Sequence, residues 1–307
     1  MSTRMMIMSE DALYRFSFAA APIRGQWVRL EGTLDALFAG RGYPAPVQSV
    51  LAEMLAAVSL AADGIKFRGA VALQARGPGP VTTILAECRE QHLLRGLGRW
   101  QSDADLDAAG GDVMRLLGEG QMTLSLVSGT EAGADPTTYQ GIVSLTNGSL
   151  AENLEAYFEN SEQLPTRLLL AWDGARVTGL LLQRLPAAPN ATEMALEQHG
   201  ALWQEALVLA DSLRAEELAR WSVEDLLRRL FHEHALMVQP PRALSFSCTC
   251  SRERSATMLQ ALPKQEILEL LEERGTIEVT CEICGARYDY DAFDTHALYA
   301  PPGTGVH

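Results

Sequence analysis

Residues 246–291 read FSCTCSRERSATMLQALPKQEILELLEERGTIEVTCEICGARYDYD. Two close cysteine pairs stand in this stretch, Cys248-Thr-Cys250 and Cys281-Glu-Ile-Cys284, and together they hold four of the chain's five cysteines. Two close pairs separated by a loop-sized insert are the pattern of a four-thiolate zinc site. Zinc takes soft or borderline ligands at roughly tetrahedral corners, and a closed structural site leaves no position open. Cys248, Cys250, Cys281 and Cys284 supply the whole set, which implies one Zn2+ per chain. An iron–sulfur cluster is the minor alternative for the same donors. The one-residue spacer of the first pair is tighter than the two to four residues of ordinary zinc ribbons and fingers.

Around the cysteines, residues 252–262 and 264–274 read as two short helices separated by Pro263. Residues 277–280 and 287–290 read as a small hairpin that carries the second pair. The turn at Cys284-Gly285 is of the kind whose backbone N–H groups can point at a metal-bound sulfur. Pro240-Pro241 opens this last unit, 240–307. A unit of that size has a meagre core of its own. Bound zinc would supply much of its folding free energy, on the order of 10–16 kcal/mol in small zinc peptides.

Upstream, residues 191–234 are almost free of Gly and Pro and read as two or three helices. Their charges are dense and of both signs, and Ser222 with Asp225 three residues later is a helix-start signal. An apolar stripe (Leu196, Trp203, Leu207, Leu213, Leu218, Trp221, Leu226, Leu230) must dock on something, because most helical stability comes from packing. PAAPN at 186–190 marks the start of this linker, 186–239.

The remaining residues, 1–185, read as one α/β domain. Residues 13–20 and 25–32 suggest strands, and 46–61 have the length, apolar density and leading proline of a helix. Residues 67–76 and 81–88 form a hairpin across Gly77-Pro78-Gly79-Pro80, and 121–127 pairs with 141–145. Ser149 and Glu152 make a capping pattern for a helix over 149–162. Residues 167–172 and 177–185 are two more strands turned at Asp173-Gly174. The fold class expected is therefore an α/β (α+β) N-terminal core domain, a helical linker and a small C-terminal zinc-binding domain.

Composition narrows the function. The 307 residues are 47% hydrophobic and 21% charged, so a real core is expected and wholesale disorder is not. A net charge of −14 argues against nucleic acid and against anionic membrane surfaces. The first residues, MSTRMMIMSEDALYRF, lack a sustained apolar core and a cleavage site, and no unbroken apolar run is of membrane-spanning length. A cytoplasmic, reducing location is the expectation, where clustered cysteines mean metal or redox chemistry more often than permanent disulfides.

The chemistry of the four thiols leaves two readings. One is a zinc staple for a small domain. The other is a redox switch, because zinc holds thiolates in the oxidisable form and each pair is close enough in sequence to form a disulfide. Arg252, Arg254 and Arg287 could offset the negative charge of four thiolates. His232 and His234 could be alternative ligands, but the end of a helix suits them better. Cys88 lies in a strand-like run and reads as a buried structural thiol; the other histidines are scattered. There is no phosphate-binding loop, no G-x-S-x-G elbow and no H-E-x-x-H pair. A thiol–disulfide oxidoreductase would place Cys281-Cys284 between a strand and a helix, whereas here the pair sits between two strand-like runs.

The chain resembles a family, the redox-regulated heat-shock holdase chaperones of bacteria, or 33-kilodalton chaperonin family. The residues that carry the resemblance are 246–262 and 266–291 with both cysteine pairs at the family spacing. TTYQGIVSL at 137–145, AENLEAYFENSEQLPT at 151–166 and LLRRLFHEH at 226–234 add to it. The resemblance implies a non-enzymatic chaperone that holds zinc and is inactive while reduced. Oxidants such as peroxide or hypochlorous acid would then drive the disulfides Cys248–Cys250 and Cys281–Cys284, with zinc release and linker unfolding. It further implies a homodimer when activated, unfolding client proteins as partners, and ATP-dependent foldases downstream. A binding module with purely structural zinc and a thiol–disulfide enzyme are the alternatives.

Overall fold

A computed structural model describes residues 11–64, 69–128 and 137–299. Residues 1–10 of the N-terminal stretch read above for targeting and residues 67–68 of the expected strand lie outside these. The chain divides into two compact units, one ending at Ser247 and one starting at Cys248.

In the first unit, β1 (Ala12–Phe18) and β2 (Ile23–Leu30) pair antiparallel. Then come α1 (Gly32–Phe38) and the long α2 (Ala45–Asp63). The strands β3 (Gly69–Arg76), β4 (Val81–Arg89) and β5 (Leu93–Trp100) form a meander, with the Gly-Pro-Gly-Pro turn joining the first two as expected. After α3 (Val113–Leu117), β6 (Gln121–Ser128) and β7 (Thr137–Ser144) pair as a hairpin. The helix α4 (Leu150–Ser161) starts at Ser149, whose hydroxyl accepts the Glu152 N–H. β8 (Thr166–Trp172) and β9 (Val177–Arg184) close the series as an antiparallel pair.

These strands make two sheets with α2 between them, and α2 touches strands of both. Val47, Val50, Leu51, Met54, Leu55 and Val58 of α2 are wholly buried. By length and composition α2 is apolar enough to cross a membrane, yet 78% of that window is buried inside the protein. A helix apolar all round is what a core position between two sheets demands.

β5 escaped the sequence reading because its run, LLRGLGRW, is broken by Gly96 and Gly98. Both are needed here: a Cβ on Gly96 would meet the Leu51 side chain at 2.9 Å, and one on Gly98 would meet Val47 at 2.7 Å. The absent side chains let α2 lie close on the strand. α1 escaped for another reason. Its own N-cap residue, Glu31, makes no side-chain cap. The carboxylate of Asp11 does so instead, accepting from the N–H groups of Glu31 (2.7 Å), Gly32 (3.1 Å) and Thr33 (2.6 Å).

The linker forms three helices, α5 (Glu193–Asp211), α6 (Ala215–Arg220) and α7 (Val223–Leu230). Ser222 caps α7 by accepting the Asp225 N–H, with acidic residues in the first turn and Arg228 and Arg229 in the last. The apolar stripe docks on the first sheet. Trp203, Ala206, Leu218, Leu226, Leu230 and Phe231 pack with Phe16, Phe18, Ile23, Trp27, Leu180 and Leu182 in a cluster separate from the one around α2. Leu196 is not part of this contact and stays 42% exposed. Few polar ties accompany the docking: Arg29 donates to the carbonyls of Ala219 (3.2 Å) and Trp221 (2.5 Å) at the end of α6, and Arg167 pairs with Asp211 at 2.7 Å.

Beyond the linker, β10 (Leu236–Val238) and β11 (Arg242–Ala243) pair with β1, and β12 (Ser245–Phe246) pairs with β5. The sheets thus run β10-β1-β2-β9-β8, with β11 also on β1, and β12-β5-β4-β3-β6-β7. The sequence reading counted residues 240–247 with the cysteine unit; their backbones complete the edges of the first unit instead. These pairings are two or three residues long and interrupted by Pro240-Pro241, so no strand period is visible.

The second unit holds α8 (Arg252–Gln260), α9 (Lys264–Arg274), the antiparallel pair β13 (Ile277–Thr280) and β14 (Arg287–Tyr290), and α10 (Ala292–Leu298). Its buried apolar core is Leu259, Ile267, Leu271, Ile277 and Tyr290.

Candidate metal centre

The four cysteines expected from the spacing come together. The Sγ atoms of Cys248, Cys250, Cys281 and Cys284 all lie within 4.8 Å of one another, and all four are free thiols. The first pair precedes α8, whose N-cap Ser251 accepts the Arg254 N–H. The second pair occupies the knuckle between β13 and β14. There the Gly285 N–H donates to the Cys281 carbonyl (2.8 Å) and the Cys281 N–H to the Ala286 carbonyl (2.8 Å). Gly285 has φ +74°, the left-handed conformation that lets the knuckle close.

Two sulfur contacts run between the motifs, 3.7 Å from Cys248 to Cys281 and 3.2 Å from Cys250 to Cys284. A tetrahedral zinc with Zn–S near 2.3 Å sets its sulfurs about 3.8 Å apart, so the donor set is the right size as well as the right chemistry. Backbone N–H groups point at sulfur as the turn predicted: that of Cys250 at Cys248, and that of Ala286 at Cys284.

The thiols differ in acidity. At Cys250 burial works upward, but hydrogen bonds from the Tyr288 hydroxyl and the neighbouring thiols outweigh it and bring the thiol down to about 7. Burial and the crowding of other sulfurs push Cys284 up to about 12. Burial also raises Cys248. Four sulfurs this close cannot all carry charge unless a cation joins them. Four thiols grouped in this way could hold a metal ion.

Tyr288 is the functional residue that the sequence reading missed. Its hydroxyl donates to Cys250 Sγ at 3.2 Å from β14, and nothing in the sequence signals it beyond a tyrosine four residues after Cys284. Of the three arginines expected to balance the sulfurs, Arg252 pairs with Asp294 (2.7 Å) and lies over the Tyr290 ring, and Arg287 faces Glu278 (3.6 Å). Arg254 donates to the carbonyl of Thr249 (2.8 Å), the residue between the first two cysteines, and so holds that spacer in place.

Among the described residues, the group that could hold a metal contains the four cysteines and no histidine. His232 and His234 follow the end of α7 in the first unit; His234 lies 3.4 Å from Glu205 and against the Phe18 ring. Cys88 is buried in β4, and burial pushes its thiol up to about 12, as suits a structural residue.

Comparison with known proteins gives consistent matches. A family model described as Hsp33 protein matches residues 11–291. A protein named 33 kDa chaperonin from Azotobacter vinelandii is 41% identical over 302 residues, covering 96% of this chain and 97% of its own. One of the same name from Pseudomonas aeruginosa is 42% identical over 298 residues, covering 96% of each chain. The crystal structure of the 33 kDa chaperonin of Thermotoga maritima superposes with a TM-score of 0.78 over 94% of this chain and 97% of that one. At 22% identity it is a likeness of fold.

Proposed function

The chain belongs to the Hsp33 family, and from that premise we propose that it is a redox-regulated, ATP-independent holding chaperone of the cytoplasm. The observation that carries the reading is the convergence of four thiols from two motifs in a unit whose own buried core is five residues. In the reduced state Cys248, Cys250, Cys281 and Cys284 hold one Zn2+, and the bound ion supplies the folding free energy that so small a core lacks. Tyr288 and the backbone N–H groups of Cys250 and Ala286 support the thiolates. Arg254 orients the Cys248–Cys250 spacer.

Oxidation removes the ligands. Each cysteine pair gives two electrons to peroxide, which is reduced to water, or to hypochlorous acid, which yields chloride and water; one S–S bond forms per pair. The pairs are Cys248–Cys250 and Cys281–Cys284. Sulfurs joined in a disulfide no longer act as thiolate ligands, so the unit loses the metal that folds it. In the three-part organisation, the cysteine unit from Cys248 onward is the switch and 186–239 the metastable linker. The core, 1–185, serves in dimerisation and client binding.

Linker docking rests mainly on one apolar cluster, and its release would uncover Phe16, Phe18, Ile23, Trp27, Leu180 and Leu182 together with the helices' own apolar stripe. Contiguous apolar surface of this kind binds unfolding proteins. The activated form is a homodimer that passes clients to ATP-dependent foldases on reduction. It turns over no substrate and needs neither nucleic acid nor membrane.

The test is a single oxidation time course in which zinc release, helicity and suppression of light scattering by a heat-unfolding client are followed together. The three should advance in step. Metal retained at oxidant levels that activate holding, or oxidised protein that fails to protect the client, refutes the proposal.

A further inference from the structure

Between the last linker helix and Cys248, residues 236–247 form a strap along one edge of each sheet of the first unit. The strap is held chiefly through its backbone. The Ala19 N–H donates to the Ala235 carbonyl (2.9 Å), Gln239 N–H to Arg15 (2.9 Å) and Leu244 N–H to Asp11 (2.8 Å) on the β1 side. On the β5 side, Ser245 N–H donates to His92 (3.0 Å) and Ser247 N–H to Leu94 (2.8 Å).

Side chains add little. Met237 is 58% and Val238 53% exposed, and of residues 236–247 only Leu244 is buried. A cleft of about 370 Å³ lies between α1 and the strap, lined by Thr33 and Ala36 on one side and Leu244 and Phe246 on the other. One ion pair latches the segment, Arg242 to the buried carboxylate of Asp63 at 2.7 Å. Asp63 also accepts from Gln26 (2.7 Å) and lies 3.7 Å from Arg15.

We infer that the strap is an internal stand-in for client chain, and that the strand edges it covers take up an extended segment of an unfolding protein once it leaves. This rests on the redox-holdase reading, in which the elements on both sides of the strap let go. The vacated edge of β1 offers unpaired backbone groups, which are a template for strand addition. The strap shows what that edge accepts: backbone in extended form, with no deep side-chain pocket to select sequence. It also shows where apolar side chains of an occupant fall. Leu236 pairs with Phe18 and Val238 with Phe16, on the sheet face that the linker helices cover. An occupant with alternating apolar residues would therefore gain both the edge and the uncovered face. Backbone recognition suits a partner that must be held whatever its sequence.

The odd-numbered residues of β1 turn their backbone groups to the strap and the even-numbered ones to β2. Amide hydrogen exchange on the full chain, read residue by residue, therefore separates the two edges. The probe is an unfolded protein with its thiols reduced and carboxymethylated. Ser17 and Ala19 are expected to be protected in the reduced zinc-loaded chain, to lose protection on oxidation, and to regain it when the probe is bound; Tyr14 and Phe16 stay protected throughout. Protection of Ser17 and Ala19 that persists after oxidation and before the probe is added, in protein that goes on to hold the probe, overturns the inference. So does lost protection that the held probe fails to restore. Protection restored by raising the protein concentration without probe assigns the edge to a second copy and likewise overturns it. These three outcomes leave the redox-holdase reading standing. Failure of the oxidised chain to hold the probe at all removes that reading, and this inference with it.

Discussion

Phe231 offers a direct test of whether the linker is a separable layer. It follows the last turn of α7, is 1% exposed, and sets its ring 5.1 Å from Phe18 in a T-shaped contact and 6.0 Å from Phe16. Truncating a buried Phe to Ala costs about 3–5 kcal/mol, which includes roughly 0.5–1.5 kcal/mol for each aromatic pair. Because the residue lies past the helix end, little of this comes from helix propensity. The loss should fall on the linker cluster and spare the separate cluster around α2.

At about 1.4 kcal/mol per factor of ten, Phe231→Ala should raise the opening equilibrium of α5–α7 by roughly two to three and a half orders of magnitude. The assay is amide exchange in reduced, zinc-loaded protein. Linker amides should accelerate by that factor while those of β9 and β3 keep their rates, and the reduced variant should protect a client without oxidant. Phe231→Leu keeps most of the volume but loses both ring contacts, so its effect should be smaller, about 1–3 kcal/mol. If core and linker amides accelerate together, the linker is part of one cooperative unit and the docking argument is wrong. Unchanged linker amides refute it equally.

Tryptic mapping of the oxidised chain distinguishes the disulfide pairings, because Arg252, Arg254, Lys264 and Arg274 lie between the motifs. Pairs within motifs leave two separate peptides, each lighter by two hydrogens, whereas pairs between motifs, such as Cys250 with Cys284 at 3.2 Å, join them. Thiol counting should find four reactive cysteines in metal-free folded protein and the fifth, Cys88, only in denaturant; a fifth thiol reacting at the same rate contradicts its burial. Glu53 of α2 is pushed from 4.5 up to about 7 by burial. The folded chain thus binds its proton more tightly, and stability should fall as pH rises from about 4.5 to about 7 and stay reduced above. Glu53→Gln should remove this slope and be more stable than the parent near pH 8 by up to about 3 kcal/mol, read by chemical denaturation; parallel pH profiles would show that the carboxyl is not desolvated. Arg242→Ala, which leaves Asp63 without its closest cation, should loosen the strap and speed proteolysis at residues 236–247 in reduced protein, and equal cleavage rates would count against the latch.

The candidate site was almost wholly legible, since its four ligands lie in two short motifs and the hairpin between β13 and β14 follows the residue pattern. Its supports were less so. Arg252 and Arg287 have carboxylate partners that only folding brings near, and Tyr288 reaches Cys250 across thirty-eight positions. In the core, strands with alternating burial and marked turns could be read directly. α1 could not, because its cap comes from Asp11 across the chain, and β5 could not, because its glycines answer to α2. The strap was hidden because backbone pairing with a single buried side chain, Leu244, leaves no period in the sequence. Local signals carried local structure, and every feature that depends on a distant partner had to come from the fold.

The pairing of β1 with β10 joins nearly the first described residues to segments about 220 positions later. Synthesis proceeds at roughly 5–20 residues per second, so a growing chain waits on the order of ten to forty seconds between making β1 and making the strand that closes its edge. Until α5–α7 are made, late in that interval, the Phe16–Phe18 face has no linker helices to cover it. A new chain therefore keeps the Phe16–Phe18 face and the outer edge of β1 uncovered until about three-quarters of its length has been made, α5–α7 and β10 being the segments that close them.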